Sequence, residues 1–293
     1  MTKKETETVG LHRDQGPRRR RPRWWLIVLI LLALGVVAIM VWLNSRRLAG
    51  LFEAPPTLPP TAAAEQGVLY ATSFEDESQF GDWEQFDDGF ISAVIADGRL
   101  VFDVNALTDN GGWSGLNLTF DDFVLDVDAT KLAGPDDNGI IVIFRLTDTD
   151  NYNRFDISSN GFYAVSQVRE GVATVVSDWN RSAAILTGEA TNHIRVRAQG
   201  DHFQFEVNGS LLPLCINPAP DVQPLWDTST DPPTCLGADV TDTWVNGDLP
   251  QGKIGLGAQG FVGADEENPN SALATIGFDN LTIYPPGEEP DSP

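Results

Sequence analysis

Cysteine and histidine are scarce in this chain, with two cysteines and three histidines among 293 residues. Cys215 and Cys235 form no Cys-x-x-Cys pair and no Cys/His cluster surrounds them, so a structural zinc site is not expected. His12 falls in a basic N-terminal segment, while His193 and His202 flank a predicted hairpin turn. That placement argues against a histidine-based catalytic triad. Positive charge is equally thin beyond residue 47: residues 48–293 hold nine Lys and Arg against 39 Asp and Glu, a net of −30. A surface this acidic repels nucleic acid and anionic membrane, so neither is expected as its partner. Helical periodicity beyond about two turns is also missing outside one apolar run.

That run, Trp24–Leu43, is twenty consecutive uncharged and almost wholly apolar residues. At ~1.5 Å per residue a helix of this length spans about 30 Å, the thickness of a bilayer's hydrocarbon core. Eight Lys and Arg precede it and only Arg46 and Arg47 follow closely, so the N-terminus is expected inside and everything after Asn44 outside. Trp24, Trp25 and Trp42 occupy the ends, where indoles favour the headgroup region. A cleaved signal peptide would have an apolar core of ~7–15 residues with a small-residue site at its end. Here the core is longer, and Thr61-Ala62-Ala63-Ala64 lies well beyond it, which favours a retained anchor in the cell membrane. In the oxidising compartment outside, Cys215 and Cys235 are expected to pair. Closing that loop contributes ~3 kcal/mol in the chain-entropy model.

The expected organisation is a basic cytoplasmic tail (1–23), a transmembrane helix (24–43) and a Pro/Ala-rich stalk (44–66), then one domain (67–284) and a short acidic disordered tail (285–293). Through the domain, strands follow one another about every ten residues, separated by turn residues. Ile194, Val196 and Ala198 alternate with Arg195 and Arg197, and Phe203, Phe205 and Val207 alternate again. Asn208-Gly209 then supplies the positive φ angles of a tight hairpin. The pattern predicts an all-β, two-sheet antiparallel sandwich. Residues 211–250 interrupt it with both cysteines, a cluster of prolines, Trp226 and Trp244. They read as a functional insertion without strands, stapled by the disulfide.

Several motifs together resemble the concanavalin A-like lectin/glucanase group, laminin-G-like sandwiches included. They are Phe74-Glu75-Asp76 with Trp83, Asp126-Val127-Asp128-Ala129, Gly139 to Arg145, Asp148-Thr149-Asp150-Asn151-Tyr152, and Ile157-Ser158-Ser159-Asn160-Gly161-Phe162-Tyr163. The order continues through Trp179, Asn192 to Val196, Phe205 to Gly209, Gly252-Lys253-Ile254-Gly255-Leu256 and the closing Gly277 to Ile283. It is similar to the 3-keto-disaccharide hydrolase domains of bacterial surface proteins and covers about 67–284. The resemblance implies a jelly roll with one concave sheet, on a fold that hosts lectins, hydrolases and spacers alike. It also implies a structural calcium between the first and last strands, for which Glu75 and Asp279 are the candidate ligands.

Sugar sites combine aromatic platforms with a few polar groups for hydroxyls. Candidates are Arg145, Tyr152, Arg154, Asp156 and Trp179 from the central strands, with Trp226 and Trp244 from the insertion. Retaining glycosidases need two carboxyl groups ~5–5.5 Å apart. Asp126 and Asp128 share a strand face but lack the glutamates of the glucanase pattern, and a solvated polar face is expected there. The leading expectation is a membrane-anchored, non-catalytic module that binds a glycan or another extracellular partner. The alternatives are a glycoside-acting hydrolase of the keto-sugar type and a structural or sensory ectodomain of an envelope assembly.

Overall fold

The computed structural model describes residues 67–216, 225–230, 232–236 and 239–291. The expected tail 1–23, membrane span 24–43 and stalk 44–66 lie outside the described residues. Among the described residues no helix is long and apolar enough to cross a membrane.

The chain opens with β1 (Tyr70–Thr72), a 3-10 helix (Glu77–Asp82), β2 (Phe86–Asp87), β3 (Ile91–Ala96), β4 (Arg99–Ala106) and β5 (Asn110–Phe120). It continues with β6 (Phe123–Ala133), β7 (Asn138–Asp148), β8 (Asn151–Ile157), β9 (Phe162–Arg169) and β10 (Val172–Arg181). Next come β11 (Thr191–Gln199), β12 (His202–Val207), β13 (Ser210–Leu211), β14 (Leu214–Ile216), β15 (Leu225–Asp227) and β16 (Thr234–Leu236). The last are β17 (Asp239–Thr241), β18 (Trp244–Val245), β19 (Gly252–Gly260) and β20 (Ala272–Tyr284). They form the expected antiparallel sandwich. A ten-stranded sheet runs β13-β12-β11-β6-β20-β4-β3-β2, with β1 beside β20 and β18 beside β12; a six-stranded sheet runs β10-β9-β8-β7-β19-β5.

Period-two alternation decides which side chains meet. Leu125, Val127 and Ala129 of β6, Ile194 and Val196 of β11, and Phe203 and Phe205 of β12 enter the core from one sheet. Ile140, Val142 and Phe144 of β7, Phe155 of β8 and Leu256 of β19 enter it from the other. The Phe155 and Phe205 rings stack across the middle with centroids 4.7 Å apart. Asn208 and Gly209 take φ of 50° and 74° between β12 and β13, as the Asn-Gly pair predicts.

Two expectations need correction. Residues 211–250 are not strandless: β14 pairs with β17 and β15 with β16, two short ladders in which Trp226 faces Cys235 across the strands. The Cys215–Cys235 disulfide links the two ladders. Short strands broken by prolines carry too few alternating positions for the pattern to show. The acidic tail is not free of contacts within residues 285–291. Glu289 accepts from Arg197 on β11, and its carboxylate is 9% exposed.

Candidate functional site

The outer face of the six-stranded sheet carries a second, smaller apolar cluster. Ile141, Ile143, Leu146 and Tyr152 are buried there, and Trp113 and Val168 pack against them. Pairing places Trp113, Gly257, Ile141, Asp156 and Ala164 in one row across β5, β19, β7, β8 and β9. The next row is Gly115, Gly255, Ile143, Arg154 and Ser166. Glycine in β19 leaves the floor open. A Cβ at Gly255 would stand 3.2 Å from Trp113 Cδ1, and one at Gly257 3.0 Å from Trp113 Cβ. The indole therefore crosses the sheet and reaches Tyr152, with ring centroids 5.0 Å apart and planes tilted by 49°.

Beside this aromatic pair stands a polar triad. Arg154 Nε donates to Asp156 Oδ2 at 2.7 Å, Arg154 Nη2 donates to Asp156 Oδ1 at 2.6 Å, and Nη2 also donates to Gln259 Oε1. Asp156 is 3% exposed, whereas the Arg154 side chain keeps 23%. Burial opposes the Arg154 charge, but the facing carboxylate outweighs it and holds the guanidinium protonated more firmly than usual. Burial raises the Tyr152 phenol above its ordinary value. Half-buried Trp113, Arg154 and Gln259 present ring surface and polar groups, with Tyr152 and Asp156 buried beside them, a combination suited to sugar C–H faces and hydroxyls.

The same face continues to the end of β8. There a cavity of about 350 Å³ is lined by Asp137, Ser158, Asn160, Phe162, Trp179 and Phe261. Asn160 Nδ2 donates to Asp137 Oδ1 at 3.3 Å, while its Oδ1 makes no hydrogen bond.

Of the residues singled out from the sequence, Tyr152, Arg154 and Asp156 come together, and Trp179 lies at the far end of their face. The others are elsewhere. Arg145 is fully buried at a left-handed position of β7 (φ 55°), within 5.8 Å of the Phe123 and Phe203 ring centroids. It donates to the carbonyls of Phe120, Pro250 and Gly200 and to Asp122, and so closes one end of the core. Trp244 belongs to the main core against Phe203, with centroids 5.2 Å apart, because β18 adds to β12. Half-buried Trp226 donates its indole N–H to Ser177 Oγ at 3.4 Å. Glu75 packs over Gly98 at the β3–β4 turn, and Asp279 Oδ1 accepts from the backbone of Asn280. Among the described residues no three Asp, Glu, His or Cys converge as a metal cluster.

Asp126 and Asp128 are not a solvated face. Arg195 grips Asp126 through Nε and Nη2 at 2.6 and 2.7 Å. His193 Nδ1 lies 2.9 Å from Asp128 Oδ1, with its Nε2 3.8 Å from Asp126 Oδ1. The two carboxylates raise His193 to about 9, so it is charged at neutral pH. Burial works against the Asp126 charge, yet Arg195 and His193 hold its carboxyl below the usual range. This is a cross-strand ion ladder on the outer face of the ten-stranded sheet.

Trp113, Gln259 and Phe261 are not among the sequence-based candidates, and Phe162 enters only through the motif that ends at Tyr163. For Trp113 the signal was local: a lone indole within Gly111-Gly112-Trp113-Ser114-Gly115, where small neighbours leave room for a large ring to lie flat.

The described domain is thus an all-β antiparallel sandwich, the class expected from the sequence. Similar solved structures include the carbohydrate binding module CBM66 from Bacillus subtilis, at 14% identity and TM-score 0.42 over 69% of this chain and 95% of that one. A protein of unknown function with a galectin-like fold, also from Bacillus subtilis, matches at 12% identity and TM-score 0.48 over 74% and 96%. A putative glycosyl hydrolase from Parabacteroides distasonis matches at 17% identity and TM-score 0.36 over 70% and 94%. No family model matches the chain, and no curated protein matches it. Likeness at these levels assigns neither ligand nor activity.

Proposed function

We propose that the chain is a membrane-anchored, non-catalytic glycan-binding module. The observation that carries the reading is the Trp113–Tyr152 pair beside Arg154, Asp156 and Gln259 on one sheet face. Aromatic faces pack on the C–H faces of sugar rings, and the neighbouring donors and acceptors orient the hydroxyls. The non-catalytic part is supported by the state of the carboxylates. Glycoside hydrolysis needs two carboxyl groups across the scissile bond, one available as acid and the other as base or nucleophile. Asp156 is instead tied to Arg154, while Asp126 and Asp128 are held by Arg195 and His193. The anchor is residues 24–43, with the N-terminus cytoplasmic, supported by the length of the apolar run and its flanking arginines.

The test is a glycan array probed with the full chain in nanodiscs, beside Trp113→Ala. Binding that the variant loses supports the reading; no binding, or binding indifferent to Trp113, overturns it. Protease added to intact cells should remove the domain and leave the N-terminal tail protected. A domain released intact into the medium would refute the anchor.

A further inference from the structure

The face that carries the proposed glycan site has aromatic groups at both ends. Along β8 and just past its end it runs from Tyr152 through Arg154 and Asp156 to Ser158, six residue steps or about 20 Å at ~3.3 Å per residue. Trp113 and Tyr152 mark one end. At the other, Phe162, Trp179 and Phe261 wall the 350 Å³ cavity, together with the hydroxyl of Ser158 and the amide of Asn160. Arg154, Asp156 and Gln259 lie between them. A single sugar would contact one aromatic end and leave the other empty.

The charge of the face narrows the ligand further. Arg154 is the cation at its centre, and the Asp156 carboxylate 2.6 Å away offsets its charge. Lys253, at the edge, donates to Asn117 Oδ1 at 3.2 Å. Asp137 places a further carboxylate in the cavity wall, on a domain already strongly acidic. Anionic sugars would approach against the field of this acidic domain. Resting on the glycan reading of this face, we infer that its ligand is an uncharged linear oligosaccharide. It lies along β8 from the Trp113–Tyr152 pair to the Trp179 cavity, rather than being a single terminal sugar or an acidic glycan.

Calorimetry on the full chain in nanodiscs tests this with gluco-, manno-, galacto-, xylo- and fructo-oligosaccharide ladders of increasing length, and with oligogalacturonate. In at least one neutral ladder, affinity should climb at least about tenfold from the disaccharide to the longest member. Trp179→Ala should abolish that climb. Phe261→Ala, a variant outside the strands, should flatten it too, which keeps the test usable if the Trp179 variant folds poorly. Trp113→Ala should weaken every member. Equal affinity at all lengths, a climb that survives both cavity variants, or preference for oligogalacturonate would overturn the oligosaccharide inference and leave the glycan reading standing. No binding by any ladder would overturn both.

Discussion

Trp113 and Tyr152 stand on strands with two others between them, yet their ring centroids are 5.0 Å apart. The approach depends on Gly255, where a Cβ would stand 3.2 Å from the indole and 3.1 Å from Ile143 Cβ. Gly255→Ala should therefore lift the ring from the sheet and reduce glycan affinity by about tenfold, since aromatic contacts of this kind contribute about 1 kcal/mol or more. Near-UV circular dichroism should report the displaced indole. Full affinity in this variant would show that the flat ring is not part of the site.

The Arg154–Asp156 pair separates stability from recognition. Removing one partner of a buried ion pair strands the other, so Asp156→Asn should lower unfolding free energy by about 3 kcal/mol, measured by urea denaturation. Replacing both residues with apolar ones of similar volume (Arg154→Met with Asp156→Leu) should recover much of that loss. Binding should stay lost in the double variant, because the donors and acceptors are gone. A double variant that still binds would remove the pair from the site.

His193 gives the fold a pH dependence of known sign. Its pKa is raised from an unfolded value near 6.5 to about 9 by Asp126 and Asp128, so the folded state binds the proton more tightly. The stabilisation is complete below about pH 6.5, declines as pH rises toward 9, and is absent above it. Asp126 and Asp128 are shifted downward, so their contribution is present above about pH 4 and is lost in acid. His193→Gln should lower the melting temperature at pH 6 and leave it nearly unchanged at pH 10. Equal losses at both pH values would mean that His193 acts through packing alone.

The disulfide should matter locally more than globally. Cys215 and Cys235 are 20 residues apart and join two small ladders, β14–β17 and β15–β16, that have little core of their own. Loop closure of that length contributes about 3 kcal/mol in the chain-entropy model. Cys215→Ser with Cys235→Ser should make the β15–β16 ladder the first site of limited proteolysis, with the sandwich surviving as a resistant fragment. Loss of the whole domain at the same protease dose would show that the insertion supports the fold.

Calcium between Glu75 and Asp279 is decided by one measurement. Ion binding to the native state alone raises the melting temperature with concentration. A shared ion predicts a rise of several degrees in millimolar calcium that chelator reverses and Asp279→Asn abolishes. An unmoved transition removes calcium from the account.

Legibility in the sequence followed the physics of each signal. Alternation along Ile194–Val207 announced its strands and their buried side, and Asn208-Gly209 announced its turn, because both depend on residues close in the chain. Tyr152, Arg154 and Asp156 were legible as a group because i and i+2 on one strand share a face. Arg145, one strand earlier, had the same chemistry but sits at a positive φ that turns it into the core, and alternation carries no sign of that bulge. Trp244 was misplaced because its strand is two residues long and gains its burial only by adding to β12.

Composition and pattern alone determined the all-β class, the acidic character of the domain, the twenty-residue apolar run and the pairing of the only two cysteines. Each follows from local periodicity, counted charge or elimination. Which strands become neighbours was decided by the tertiary structure, and with it every contact between distant residues. Trp113 reaches Tyr152 across glycines from another part of the chain, and His193 finds Asp126 and Asp128 across a strand pair. Glu289 reaches Arg197 from beyond the last strand. Register between strands is a property of the packed core, where one slipped residue would turn each of these side chains to the opposite face.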